Sequence, residues 1–343
     1  MRKFLFTFFI SICFLQGLFF GDTIYLIPYD ASVLDSKVCT YSANIPYNEL
    51  TTWQLLDKKV REAGHTLKCT DLSEFSNKKS LRALQNARKV IVINLPSWTG
   101  KKWHKKIFKV AREKLVLIAL EPPTVVPEMY QCFHCFGKVL SWDDALCQQG
   151  KAEKINYQVW QDMQPHIPSF SEKKLLTTVC RNKRSGHPDE LYSERYKVIS
   201  YFEARVGNDF EFYGTGWEKL KLRTYRGPCQ NKLEVLKKYR FSICYENIKN
   251  QRGYITEKIF DCFAAGCVPI YLGASNIKEY IPTNCFIARE DFTSFELLLN
   301  HIKNMKEDEY STYLNNIRDF LKTKKAKKFG KEAFADTIMQ TLH

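Results

Sequence analysis

YENIKNQRGYITEKIFDCFAAGCVPIYLG, residues Tyr245–Gly273, decides how the chain is read. Small and apolar residues from Phe241 onward predict a buried strand, until Glu246 and Asn247 appear at its end. A polar loop, IKNQRGY, leads to a helix whose first residues are Thr256, Glu257 and Lys258. Gly266 stops that helix, and VPIYLG (Val268–Gly273) reads as the next strand. Strand, loop, helix and strand make a βαβ unit, in which ligands bind beyond the carboxyl ends of the strands. The Glu257-Lys258 charges therefore fall where a ligand is expected.

Outward from this unit, strand and helix patterns alternate. TIYLIPYD (Thr23–Asp30) reads as a strand, and Asn48–Ala63 carries a helical stripe of Leu50, Trp53, Leu56 and Val60, stopped by Gly64. HTLKCTDL follows as a strand and Leu81–Ala87 as a short helix. KVIVINLP (Lys89–Pro96) and LVLIALEPP are buried strands flanking a basic helix expected over Lys101–Glu113. The pattern lapses at residues 150–172, a polar stretch read as a connection. It restarts with LLTTVCR, a helix over Glu190–Arg205, FEFYG and a helix over Lys232–Tyr239; three helical patterns follow Ile287, the last over Phe329–Leu342. Such alternation builds parallel sheets covered by helices. The expectation is an α/β chain of two Rossmann-like domains with an interdomain cleft, the N-terminal one over residues 22–165 and the C-terminal one over 166–343.

With 343 residues, 45% hydrophobic and 14% aromatic, the chain has ample material for two packed cores. Its formal net charge of +15 implies an anionic partner: nucleic acid, anionic lipid or a phosphorylated small molecule. The basic clusters Lys101–Lys106 and Lys322–Lys331 also read simply as solvated faces, and they lack the aromatic interleaving of a nucleic-acid surface. No nucleic-acid partner is therefore expected. Residues 1–21 place Arg2 and Lys3 before an apolar run from Phe4 to Phe20, a signal or signal-anchor segment with the bulk of the chain on the non-cytoplasmic side. Among the 12 cysteines, Cys244, Cys262 and Cys267 read as buried thiols. Cys132 and Cys135 flank His134 in CFHC; a local disulfide, free thiols and a zinc site are all open for that pair.

Two places carry candidate chemistry. Lys258 sits in the first turn of a helix that Thr256 is expected to cap, where free N–H groups and partial positive charge favour phosphate. Glu257 beside it suits ribose hydroxyls, although an acidic residue in a first turn also suits the helix dipole without any ligand. No GxGxxG or GxxxxGK[ST] loop occurs, so a nucleotide site would be built from side chains. Glu121 leaves the apolar strand VLIAL just before Pro122-Pro123, which force the chain outward. A carboxylate so placed suits a general base, or is a loop Glu satisfied by neighbouring N–H groups.

The segment Phe241–Pro282 resembles the signature region of the α-1,3/4-fucosyltransferases, glycosyltransferase family ten. It supplies Phe241, Tyr245-Glu246-Asn247, Tyr254-Ile255-Thr256-Glu257-Lys258, Ala265-Gly266, Val268-Pro269-Ile270 and Gly273 in the order of that family's pattern. LYSERYKVISYF resembles the family's helix bearing a phosphate-binding arginine, here Arg195. ALEPPTVVP resembles the segment around its proposed catalytic glutamate, here Glu121, and FGKVLSWDDA the strand and turn that follow.

The resemblance implies a GT-B type fold, an acceptor-binding N-terminal domain and a C-terminal domain that binds GDP-fucose. The implied reaction inverts GDP-β-L-fucose to an α-fucoside on a glycan hydroxyl, with α-1,3 linkage preferred. Glu121 is the implied base, and Arg195 and Lys258 stabilise the leaving diphosphate. Glu257 holds ribose, and Asn247 and Tyr254 contact the nucleotide or sugar. Glu246 either stabilises oxocarbenium charge or takes backbone N–H bonds after the strand. No metal site and no cofactor are required, a divalent metal being at most stimulatory. Membrane attachment runs through the N-terminal segment, with a Golgi-type lumen or a bacterial envelope as the compartment. A different nucleotide-sugar donor on the same fold, or an inactive sugar-binding relative, are the alternative readings.

Overall fold

Runs of branched apolar residues too short for helices form the centres of two parallel sheets. The structure, a computed structural model, describes residues 22–28, 51–70, 78–95 and 104–342. The first unit takes the described residues up to Ser141, then Leu146–Ile155 and residues 334–342. Its strands are β1 (Thr23–Ile27), β2 (Thr66–Cys69), β3 (Lys89–Ile93), β4 (Leu115–Ala119), β5 (Lys138–Ser141) and β6 (Glu153–Lys154), in the order β2-β1-β3-β4-β5-β6. Every pairing is parallel. All five residues of β4 and four of the five in β3 are buried, as strands covered on both faces should be.

Helix α1 (Thr52–Glu62) begins later than the expected Asn48 because Thr51 makes a capping box. The Thr51 hydroxyl accepts from the Gln54 N–H at 3.2 Å, and the Gln54 side chain accepts from the Thr51 N–H at 2.9 Å. The helix expected over Lys101–Glu113 shrinks, among the described residues, to His104–Ile107 and a 3-10 turn at Arg112–Lys114. Lys102 and Lys106, like Lys105 and Lys109, stand four residues apart, and such like-charge pairs oppose a longer helix.

The second unit comprises Trp142–Ala145 and Asn156–Ala333. Its strands are β7 (Lys174–Val179), β8 (Phe210–Tyr213), β9 (Tyr239–Tyr245), β10 (Val268–Leu272) and β11 (Ile287–Ala288), ordered β11-β10-β9-β7-β8 and all parallel. Helices α2 (Tyr192–Val206), α3 (Lys232–Leu236) and α4 (Glu257–Ala264) connect them. Phe202, Phe210, Phe212, Trp217, Phe241 and Tyr310 fill one face of this sheet. Ile259, Phe260, Phe263, Phe286 and Phe320 fill the other. Gly266 closes α4 at φ +60°, and a Cβ there would meet the Ile167 side chain at 2.8 Å.

The two units differ from the expected division at 165/166. The first unit ends at Ile155 because Val159 and Trp160 already donate backbone N–H groups to the Phe329 carbonyl, 2.8 Å each, inside the second unit. Residues 334–342 return to the first unit, where Asp336 pairs with Lys59 at 2.8 Å and the Leu342 carbonyl accepts from Arg88 at 3.1 Å. Cys244, Cys262 and Cys267 are buried free thiols, as expected, and Cys132 and Cys135 are free as well. Cys69 is disulfide-bonded. Among the described residues no group of three or more His, Cys, Asp or Glu side chains is arranged to hold a metal ion. The segment 1–21 lies outside the described residues, among which no helix is long and apolar enough to cross a membrane.

One buried carboxylate ties the edge strand β8 into the second unit. Glu211 accepts from the Tyr239 hydroxyl, from Lys174 at 2.9 Å and from Arg226 at 2.7 Å. Burial alone would push its carboxyl up, but the Tyr239, Lys174 and Arg226 donors outweigh it and hold it down to about 2, against an ordinary 4.5. The folded value lies below the unfolded one, so the contribution is complete above the ordinary value and disappears as pH falls toward the folded value. Glu211→Gln should therefore lower stability at pH 7 by up to about 3 kcal/mol and by visibly less near pH 3. Urea midpoints of the two proteins at both pH values measure this, and an undiminished gap at the lower pH would contradict it.

Candidate functional site

In the second unit the strand order turns back between β7 and β9, so the crevice beyond their carboxyl ends is the topological switch point. A cavity of about 200 Å³ lies there. The end of β7 (Thr178 to Arg181), the end of β9 (Ser242 to Tyr245) and the first turns of α2, α3 and α4 all contribute to its wall. Arg181, Lys183, Arg195, Lys232 and Lys258 line it against a single acidic side chain, Glu257. A site of that charge binds a compact polyanion.

Glu246, the first residue beyond β9, is fully buried and holds the site together. One carboxylate oxygen accepts from the Thr256 N–H at 2.9 Å. The other accepts from the Thr256 hydroxyl at 2.7 Å and from Lys258 Nζ at 3.0 Å. The structure corrects one expectation here: Thr256 occupies the N-cap position of α4 but makes no side-chain cap, its hydroxyl going to Glu246. Of the two roles open for Glu246, joining the strand end to the helix start is the one its contacts fill, and it is not among the cavity-lining residues. Burial alone would lower the Lys258 ammonium, but Glu246 and then Glu257 outweigh it and keep it above the ordinary lysine range. Lys258 is therefore a fixed positive charge.

Arg195 reaches the same place from α2. Its Nη2 donates to the carbonyls of Tyr245 at 2.7 Å and Glu246 at 2.6 Å, and to Asn247 Oδ1 at 3.0 Å. Three acceptors fix the guanidinium of Arg195, a residue that is 4% exposed and still lines the cavity. Asn247 in turn donates to the Tyr254 hydroxyl at 3.2 Å. Tyr254 does not line the cavity: it is buried against Trp142, ring centroids 4.7 Å apart, and Tyr157 at 6.1 Å. In this structure it supports Asn247, where direct contact with a ligand was expected.

Glu257 lines the cavity with its side chain half exposed. Burial would raise its carboxyl, but Lys258 and Lys232 outweigh this and hold it down to about 2. Sequence reasoning missed Arg181, Lys183 and Lys232. Arg181 and Lys183 sit in the basic run RNKR directly after β7, a signal that position beyond a strand end could have supplied. Lys232, an isolated lysine, carried none.

Glu121 belongs to the first unit, immediately beyond β4. Its N–H donates to Asn94 Oδ1 at 2.8 Å, and its carbonyl accepts from the Tyr130 hydroxyl at 3.2 Å. Asn94, at the end of β3 with φ 44°, also takes the Leu120 N–H at 2.7 Å. The backbone that carries the Glu121 side chain is thus pinned on both sides.

Gly273 makes the Glu246 arrangement possible, since a Cβ there would lie 2.5 Å from Glu246 Cγ and 2.7 Å from the Tyr271 hydroxyl oxygen. Glu246→Ala should cost about 3 kcal/mol by taking the fully buried partner from Lys258 and leaving it only the half-exposed Glu257, and Gly273→Ala about 1–3 kcal/mol by overpacking. Denaturant midpoints report both losses. A Glu246→Ala protein as stable as the parent would mean that the carboxylate does not organise the site.

Residues 171–340 match the family model described as glycosyltransferase family 10 (fucosyltransferase), C-terminal region. The chain is 36% identical over 216 residues to 4-galactosyl-N-acetylglucosaminide 3-alpha-L-fucosyltransferase 9 of Mus musculus, a match covering 61% of this chain and 54% of that protein. It is 35% identical over 74 residues to Alpha-(1,3)-fucosyltransferase FucT of Helicobacter pylori, 22% of this chain and 15% of that one. The chain spans about half the length of the mammalian relatives it matches. Among solved structures it is similar to an alpha1,3-fucosyltransferase with GDP (TM-score 0.53, 14% identity, 94% of this chain and 91% of that one). It is also similar to a glycosyltransferase from Rickettsia africae (TM-score 0.56, 12% identity, 94% and 98% covered). These likenesses and the two parallel sheets give the GT-B fold of two Rossmann-like units. The signature residues line or brace a cation-walled cavity in the second unit, and residues 171–340, which hold that cavity, belong to the glycosyltransferase family 10 (fucosyltransferase) C-terminal region.

Proposed function

We propose that the protein is an inverting α-1,3-fucosyltransferase, moving L-fucose from GDP-β-L-fucose to a glycan hydroxyl. The observation that carries this reading is the cavity in which Arg195 and Lys258, both fixed by family signature residues, face the same space. Cations held in place before the reaction stabilise charge as it develops, because they need not reorganise. Here that charge is the leaving GDP diphosphate, and Arg181 and Lys183 add to the field. Glu257 accepts hydrogen bonds from the ribose hydroxyls. Asn247 orients Arg195, and Tyr254 braces Asn247.

The first unit binds the acceptor and supplies Glu121 as general base. The acceptor oxygen bonds to the anomeric carbon from the face opposite the diphosphate, the carbon–phosphate oxygen bond breaks, and Glu121 takes the hydroxyl proton. One displacement inverts the centre, turning the β-linked donor into an α-fucoside. With cations of the chain neutralising the diphosphate, the reaction needs neither a protein-held metal nor a cofactor. Relatives named for 3-alpha-L-fucosyl transfer support the choice of sugar and linkage. The Arg2-Lys3 flank supports anchoring through residues 1–21, with both units on the non-cytoplasmic side.

A donor screen on the full chain tests the proposal. GDP should be released from GDP-fucose in the presence of a galactosyl-N-acetylglucosamine acceptor, and not from GDP-mannose. The reverse preference would point to a different donor, and release from neither to a sugar-binding relative. Lys258→Ala and Arg195→Ala should each cost about 2–4 kcal/mol of transition-state stabilisation in kcat/KM. Glu121→Gln should abolish transfer while GDP affinity stays at the parent value. Loss of GDP binding in that variant would remove the base assignment.

A further inference from the structure

Lys232 stands at the first position of α3, set there by Asn231, whose side chain accepts from the Glu234 N–H at 3.2 Å. Its Nζ lies 2.7 Å from Asp261 Oδ2 on α4, and Asp261 Oδ1 accepts from Gln161 at 3.3 Å. Asp261 follows Glu257 by four residues, so the two carboxylates share one face of α4, an arrangement that repels. Lys258, the cation of that helix, is drawn to Glu246 at 3.0 Å and lies 3.3 Å from Glu257. One lysine cannot neutralise Glu246 and Glu257 while Asp261 stands a turn away.

We propose that Lys232 is a positioning residue, the shared counter-ion of Glu257 and Asp261, which keeps the Glu257 carboxylate charged and turned to the cavity to accept the two ribose hydroxyls of the donor. The inference rests on the donor reading above. Burial pushes the Asp261 carboxyl up even with Lys232 beside it, and Glu257 pushes it further. Asp261 and then Glu257 overcome burial to hold the Lys232 ammonium above its ordinary range. The titratable and charged groups facing Lys232 are Glu257, Lys258, Asp261 and Cys262 on α4, Cys244 on β9, Cys180 after β7 and Cys229 before α3. Burial holds the Cys180, Cys229 and Cys244 thiols up, whereas hydrogen bonds with Cys244 and Cys267, and then Lys232, hold the Cys262 thiol down; Glu257 and Asp261 are the carboxylates whose charge Lys232 governs. Without Lys232 the pair takes up a proton as pH falls, and the ribose contact weakens.

Calorimetry on the full chain with GDP and 2′,3′-dideoxy-GDP, at pH 5.5 and 8.5, reads this directly. The parent should prefer GDP by about tenfold at both pH values, the scale of a charge-assisted hydrogen bond. Lys232→Met should lose that preference at the lower pH and regain part of it at the higher one, while Lys232→Arg keeps it throughout. Lys232→Met combined with Asp261→Asn removes the repelling partner and should restore the preference at pH 5.5. This double variant leaves no unpaired Asp261 charge, so it carries the test even if the single variant does not fold. A Lys232→Met protein that weakens both nucleotides equally at both pH values, or a double variant without the ribose preference, overturns the proposal. A parent that binds no GDP overturns the donor reading together with it, whereas a parent with normal GDP binding and an unaffected ribose preference in Lys232→Met sinks this inference alone.

Discussion

The buried carboxylate of Glu246 is the constraint on which the site depends. A side chain with no exposure must find partners for both oxygens, and here they are the N–H and hydroxyl of Thr256 and the ammonium of Lys258. That requirement joins the end of β9 to the start of α4. It also directs Lys258 into the wall of the cavity, whereas a lysine without such a partner would extend into solvent. Arg195 depends on the same strand end, since its guanidinium is held by the carbonyls of Tyr245 and Glu246 and by the Asn247 side chain. Both cations are therefore placed by one loop, and Gly273 leaves the room that loop needs.

The charge pattern is consistent with this view. Five cations surround the cavity with one carboxylate among them. Four of these cations are held by specific acceptors: Lys258 by Glu246, Lys232 by Asp261, Arg195 by strand-end carbonyls and Arg181 by the Thr215 hydroxyl. Such pairing keeps positive charges close together in the absence of ligand, at a distance where they would otherwise repel. A bound diphosphate adds negative charge to an arrangement already rigid, the condition under which electrostatic stabilisation is most effective.

Much of this was legible in the sequence. Continuous apolar runs such as KVIVI and LVLIA announced buried parallel strands, and Gly266 announced the end of α4. The resemblance to the family signature singles out Arg195, Glu257 and Lys258, and all three line the cavity. Other features could not be read along the chain. Lys232 gains meaning only from α3 meeting α4 in space, and Tyr254 looks like a ligand contact until Trp142, more than a hundred residues earlier, is found against it. Thr256 looks like a helix cap by position, yet a buried carboxylate competes for its hydroxyl and wins. The expected domain boundary moved for a similar reason: residues 156–165 are polar like a connection but bond to the second unit through the Phe329 carbonyl. Local pattern fixes elements, whereas side-chain roles are set by long-range partners.

A crystal structure of the protein with GDP bound is the most direct measurement of the central claim. The diphosphate oxygens should lie within about 3 Å of Lys258 Nζ and of a nitrogen of the Arg195 guanidinium, with the Glu246–Thr256–Lys258 contacts unbroken. A diphosphate seated elsewhere, or one that binds only after Lys258 has left Glu246, would contradict that claim.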